Sequence, residues 1–172
     1  MVRRIILIVF ACGLSLTSPA VHAASLAKNL QGTYTLTKKS SAINGVADHH
    51  PQGIPSPAPT FSVNAFGFKS VTGAKILQFM QAAGSGAPNL KLAITSSSAT
   101  AFGSAASGKI SFVVNNPHGP DHPVTIAISS GQIKGAIAAT GLTFTGSLKG
   151  PGTIAGQTQN YTLTFTFKLT KN

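Results

Sequence analysis

Beyond residue 23, every imidazole and every side-chain carboxylate lies in one of two short stretches, ADHHP from Ala47 and PHGPDHP from Pro117. Neutral imidazole is the commonest protein ligand for transition metals, and a nearby carboxylate either binds the ion or orients the ring. These residue types therefore indicate a metal site built from two loops. The candidate ligands are His49, His50, His118, His122, Asp48 and Asp121.

The spacing of these residues limits the metal hypothesis. His49 and His50 are adjacent, and adjacent side chains of an extended chain point in opposite directions, so only one of them is expected to bind the ion. Prolines within the second stretch argue against a helix that would place His118 and His122 on one face. A tetrahedral set would suit zinc and a tetragonal set copper or nickel. Asp, Gly and Pro are also the residues of ordinary turns, which is the competing interpretation.

Enzymatic chemistry would have to use the same residues. A glycosidase could use only Asp48 and Asp121 as its carboxylate pair. A histidine acid and base with a lysine could act on a phosphodiester, and a Ser-His-Asp set is open, although no GxSxG motif accompanies the abundant serines. Because no set of mutually positioned groups is evident, the sequence favours a non-enzymatic binding protein.

The first 23 residues predict a secretory signal peptide. Two arginines precede an apolar run, and small residues lead up to Ala23, where cleavage is expected; cleavage after Ala24 is an alternative. A second alternative is lipidation of Cys12, which is disfavoured because the bulky Phe10 occupies a position that usually holds a smaller side chain. The protein is accordingly predicted to be exported, to the periplasm or the extracellular space.

The remaining residues, 24–172, are predicted to form a single domain. Their length suffices for a hydrophobic core, which is needed because no cysteine remains to form a disulfide. No transmembrane span is expected after removal of the signal peptide. The oligomeric state is left open.

The predicted domain is strongly basic. With Arg3 and Arg4 removed from the 13 basic residues, 11 lysines remain against two acids, a net charge of +9. Such a charge attracts polyanions such as lipopolysaccharide or acidic glycans. Sequence-specific nucleic-acid binding is not expected, because arginine forks are missing from residues 24–172 and aromatic residues are few.

Alternation of apolar and polar residues predicts an all-β fold. From Tyr161 to Thr170 every second residue is Tyr, Leu or Phe, and its neighbours are Thr or Lys, which is typical of a half-buried strand. An antiparallel β-sandwich or small β-barrel is predicted, with one short helix near 72–83. A loop is expected over 47–59, and a loop or a weak edge strand over 96–108. A glycine-rich turn is expected to divide 140–156 into two strands. Further strands are expected at 32–39, 60–69, 90–95, 108–115, 123–129 and 131–139.

Three functional hypotheses follow. The leading one is an exported non-enzymatic protein that binds a divalent zinc or copper ion through the loop histidines. The first alternative is a basic protein of the cell envelope that binds anionic polymers, a polyanionic glycan or lipopolysaccharide, through surface lysines. The second alternative is a small-barrel carrier of a hydrophobic ligand, since small barrels can enclose one.

Overall fold

The computed structural model describes residues 30–44, 46–47, 53–84, 89–114, 122–154 and 156–172. Within them the chain forms one antiparallel sheet, one α-helix and one 3₁₀ turn, which confirms the predicted all-β fold with a single short helix. The strands are β1 (Gly32–Ile43), β2 (Val46–Ala47), β3 (Thr60–Val63), β4 (Asn89–Ser97), β5 (Ala101–Val114), β6 (His122–Ile128), β7 (Ser130–Ala138), β8 (Gly141–Ile154) and β9 (Gln157–Lys171). The 3₁₀ turn is Gly67–Ser70, and helix α1 is Gly73–Ala82.

The sheet is largely a meander. Its strand order is β2-β1-β9-β8-β6-β5-β4, with β3 also on β1 and with β7 between β5 and β8. Because β6 and β7 share the position between β5 and β8, they behave as one strand interrupted at Ser129. Ile128 pairs with Gly108 and Gln132 with Ala105, so three residues face two across the interruption, the arrangement of a β-bulge.

The sheet is curled around its own core. Phe61 of β3 and Phe144 of β8 are separated by two intervening strands, a distance of about 14 Å in a flat sheet. Their ring centroids nevertheless lie 5.1 Å apart. The sheet must therefore curl until β3 faces β8 across the core.

Helix α1 covers the opening between β3 and β4. The Lys75 ammonium donates to the Ser62 carbonyl of β3 at 2.6 Å, and a Cβ at Gly73 would collide with the Leu92 carbonyl of β4. The helix begins as predicted: the Thr72 hydroxyl accepts from the Lys75 amide at 3.3 Å. Its buried side chains are Ile76, Phe79 and Met80, and Gly84 just past its end has φ 73°.

The buried face of the sheet follows the predicted alternation. In β9 the five alternating apolar residues are all buried: Tyr161, Leu163, Phe165, Phe167 and Leu169. Six phenylalanine rings from β3, the 3₁₀ turn, α1, β5, β8 and β9 pack against one another in the centre: Phe61, Phe68, Phe79, Phe102, Phe144 and Phe167. A packed core accounts for these aromatic residues.

Three sequence-based predictions were wrong. The segment 96–108, expected to be a loop or a weak edge strand, is the end of the edge strand β4, a short turn over 98–100 and the beginning of β5, a central strand. A polar residue of this segment can be buried in the sheet because its hydrogen bond is satisfied there: the Ser104 hydroxyl donates to the Ile133 carbonyl at 3.0 Å. The expected turn within 140–156 is absent, since β8 runs unbroken to Ile154. A Cβ at Gly150 would collide with the Ala127 carbonyl, so this glycine allows close strand approach. The strand predicted over 60–69 ends at Val63.

The ends of β1 and β2 show a hairpin that a local sequence signal could have revealed. Ile43 pairs with Val46, and Asn44 between them has φ 51°. An Asn followed by Gly is the strongest short hairpin signal, because both positions accept positive φ. Of the loop predicted over 47–59, Ala47 instead belongs to β2, and residues 53–59 contain no strand, as predicted. Residues 48–52 lie outside the described part. The predicted signal peptide over 1–23, with Cys12, also lies outside it.

Candidate functional site

Of the six predicted metal ligands, His122 alone belongs to the described residues. It is the first residue of β6, lies opposite Val114 of β5 and is half-buried. Among the described residues there is no group of three or more His, Cys, Asp or Glu side chains that could hold an ion. Whether the two stretches form a metal site stays a prediction, because the other five candidates lie outside the described residues: Asp48, His49, His50, His118 and Asp121.

Strand register fixes where each stretch joins the sheet. Ala47 is level with Ser147 of β8, through its partners on β1 and β9. Thr125 is level with Thr153 of β8, and His122 lies three residues further along. At about 3.3 Å per residue, the two points of attachment are on the order of 30 Å apart along the strand direction. A shared site would have to span that offset.

The described lysines show a clear spatial pattern. Six of them are exposed on the outer face of the curled sheet, each at a strand position whose side chain points away from the core: Lys38, Lys91, Lys109, Lys134, Lys149 and Lys168. No carboxylate side chain lies among the described residues. All charged side chains on the outer face as described are therefore positive.

A β-bulge in β1 decides which of two adjacent lysines faces outward. Tyr34 and Leu36 point into the core, so strict alternation would also turn Lys38 inward. The register shifts between Leu36 and Lys38, however, and the Thr37 hydroxyl donates to the Lys168 carbonyl at 3.1 Å. The extra residue reverses the alternation, so that Lys38 faces solvent and Lys39 faces inward.

As a consequence, Lys38 of β1 lies directly opposite Lys168 of β9. Directly opposed residues have Cβ atoms about 4.5–5.5 Å apart, and like charges at such positions destabilise a sheet. The same row continues on β8 with Thr143, and Thr166 flanks Lys168 along β9. Lys38 and Lys168 are called the lysine pair below. It concentrates positive charge beside short hydroxyl side chains.

The remaining described lysines include two with structural partners. The Lys39 ammonium donates to the Ala83 carbonyl at 3.1 Å, which places a positive charge at the carboxyl end of α1. Lys75 reaches β3 and lies 5.0 Å from the centroid of the Phe61 ring. Lys69 is exposed on the 3₁₀ turn. These three belong to the helix side of the molecule, away from the outer sheet face.

Buried hydroxyl groups in the described residues are engaged in structural hydrogen bonds. The Tyr34 hydroxyl donates to the Leu30 carbonyl at 2.7 Å, and its burial raises the pKa of Tyr34 above the ordinary value of 10.0. Tyr161 donates in the same way to the Gln157 carbonyl at 3.0 Å. These groups therefore stabilise the fold, and the lysine pair is the stronger candidate for ligand binding.

No described helix is long and apolar enough to cross a membrane. Comparisons with protein-family models, with curated proteins and with solved structures found no match.

Proposed function

We propose that the protein binds anionic polymers of the cell envelope through the lysines on the outer face of its sheet. The observation that carries the proposal is that six exposed lysines all point away from the core of the curled sheet: Lys38, Lys91, Lys109, Lys134, Lys149 and Lys168. Scattered along the sequence, they occupy outward positions on β1, β4, β5, β7, β8 and β9. A polymer with repeated negative charges can contact several of them at once.

The side chains between these lysines favour access by an extended chain. Neighbouring outward positions hold short residues, such as Thr145 and Thr166, which are paired across β8 and β9. Short hydroxyl side chains leave the ammonium groups standing above the surface and can themselves donate hydrogen bonds to an anionic oxygen. The surface combines long-range attraction with short-range polar contacts.

The test compares charge-matched variants. Purified protein is titrated with dextran sulfate and with neutral dextran by calorimetry at increasing salt. Lys134→Gln/Lys168→Gln removes two outer-face charges, and Lys69→Gln/Lys75→Gln removes two from the helix side. We expect the first variant to lose about tenfold in affinity and the second much less, with binding that weakens as salt rises. Thermal unfolding checks that both variants fold. Equal losses, or binding insensitive to salt, would refute the proposal.

A second candidate function retains the metal hypothesis in a narrower form. Because Val114 and His122 are paired, β5 and β6 hold both ends of the connection that contains His118 and Asp121. A zinc or copper ion bound there would take its protein ligands from this connection alone, His118, Asp121 and His122, because the stretch with His49 and His50 joins the sheet on the order of 30 Å away. Calorimetry with each metal on the wild type and on His118→Ala/His122→Ala tests it; identical heats for the two proteins would exclude it.

A further inference from the structure

The geometry of the lysine pair points to a more specific ligand. We infer that Lys38 and Lys168 form the binding site for a phosphomonoester group, so that the protein prefers polymers carrying such groups over polymers carrying carboxylates. This inference rests on the proposed function, because it names the chemical group through which the anionic polymer is bound.

The charge of the lysine pair matches that of a phosphomonoester. Two ammonium groups on directly opposed residues place two positive charges within reach of one small anion. A phosphomonoester carries nearly two negative charges at neutral pH and three acceptor oxygens, whereas a carboxylate carries one charge and two oxygens. A phosphomonoester can therefore neutralise both lysines simultaneously. A carboxylate neutralises only one of the two positive charges and leaves the other without a counter-charge.

The lysine pair exists because of the β-bulge in β1. Without the extra residue at Thr37, Lys38 would continue the inward alternation of Tyr34 and Leu36, and Lys168 would have no lysine opposite. The bulge thus creates a like-charge contact that a regular strand would avoid. Bulges commonly re-aim a side chain where a site needs it. An anion that binds both ammonium groups would turn this unfavourable contact into a favourable one.

Hydroxyl side chains lie next to the lysine pair on the neighbouring strands. Thr143 lies opposite Lys168 on β8, and Thr166 lies opposite Ser40 of β1, one row further along the outer face. None of these three side chains has a hydrogen bond to another side chain within the described residues. Their hydroxyl groups are placed to donate to the phosphate oxygens that the ammonium groups leave free.

The experiment uses inorganic phosphate as the free ligand and two polymers, dextran phosphate and carboxymethyl dextran of equal charge density. Binding is measured on the wild type, Lys38→Gln, Lys168→Gln and the matched control Lys149→Gln. Lys149 is also exposed on the outer face, but Ser130 and Thr162 lie opposite it. Amide shifts in NMR spectra locate bound inorganic phosphate. Thermal unfolding confirms that each variant folds.

We expect the wild type to bind dextran phosphate more tightly than carboxymethyl dextran. Each substitution in the pair should weaken phosphate binding about fivefold and remove the preference, whereas Lys149→Gln should keep it. Binding of dextran phosphate should also weaken below about pH 6, where the second proton returns to the phosphomonoester.

Different outcomes separate this inference from the proposed function. If the pair variants and Lys149→Gln lose phosphate affinity equally, or if the polymer preference survives in the pair variants, the phosphomonoester site is refuted and general polyanion binding stands. If no anionic polymer binds but inorganic phosphate shifts the amides around Lys38 and Lys168 and the pair variants abolish this, the polymer function is refuted and the site stands.

Discussion

Replacing one member of the lysine pair should stabilise the protein. Lys168 is directly opposite Lys38, and the described residues provide no carboxylate side chain to compensate the two charges. Lys168→Thr removes the repulsion and introduces a residue that β9 already uses at Thr164, Thr166 and Thr170. The matched control is Lys149→Thr, which makes the same chemical change at an outward position of β8 where Ser130 and Thr162 are opposite. Both variants gain the higher strand propensity of threonine, so the difference in stability between them reports the repulsion between Lys38 and Lys168.

The size of the effect follows from Coulomb's law. Flexible side chains let the two ammonium groups separate to roughly 6 Å, where two unit charges in water repel by about 0.7 kcal/mol. At about 0.01 M salt the screening length is near 30 Å and most of this repulsion remains; at about 1 M it is near 3 Å and little remains. For a chain of this size, 0.7 kcal/mol corresponds to a difference of about 2 °C in Tm.

Thermal unfolding followed by circular dichroism at low and high salt measures the difference. We expect Lys168→Thr to unfold about 2 °C above Lys149→Thr at low salt, with the gap closing at high salt. A Lys38→Thr variant should behave like Lys168→Thr, and the double variant should gain little more. If Lys168→Thr and the control Lys149→Thr unfold at the same temperature at low salt, or if salt leaves the difference between them unchanged, the two lysines do not repel each other and the reasoning fails.

Three further predictions concern the core and the helix. Phe144→Ala removes a ring that contacts Phe61, Phe68, Phe79 and Phe102. It should lower the free energy of unfolding in urea by about 3–5 kcal/mol. The control Phe66→Ala, at an exposed position, should lower it by less than about 0.5 kcal/mol. Tyr34→Phe should cost about 1 kcal/mol at neutral pH. Burial raises the pKa of Tyr34 in the folded state, so the unfolded chain loses the hydroxyl proton at a lower pH than the folded protein does. The free energy of unfolding of the wild type should therefore fall above about pH 10 more steeply than that of Tyr34→Phe. Parallel pH profiles of the two proteins would contradict this. Lys39→Met should destabilise by about 1 kcal/mol in urea unfolding through loss of the bond to the Ala83 carbonyl, and Lys39→Arg should retain most of the stability.

Much of the fold could be predicted because its signals are local. Alternation identified the buried residues of β9, and helical spacing with Thr72 as cap identified α1. The first part of β5 was missed because its residues are small and polar, and its burial depends on bonds to β7 that are distant in sequence. The Gly-Pro-Gly of β8 resembled a turn, since close approach of a neighbouring strand cannot be recognised from one strand alone.

The candidate site divides in the same way. The sequence by itself determined the excess of lysine, the scarcity of carboxylates and the restriction of histidine beyond residue 23 to two stretches. Only the tertiary structure decided which lysines meet. Lys38 and Lys168 are 130 positions apart in the numbering, and an unbroken alternation in β1 would have turned Lys38 towards the core. Charge is a property of each residue, whereas register and bulges arise from the pairing of two strands, and a single extra residue reverses which side of the sheet every later side chain faces.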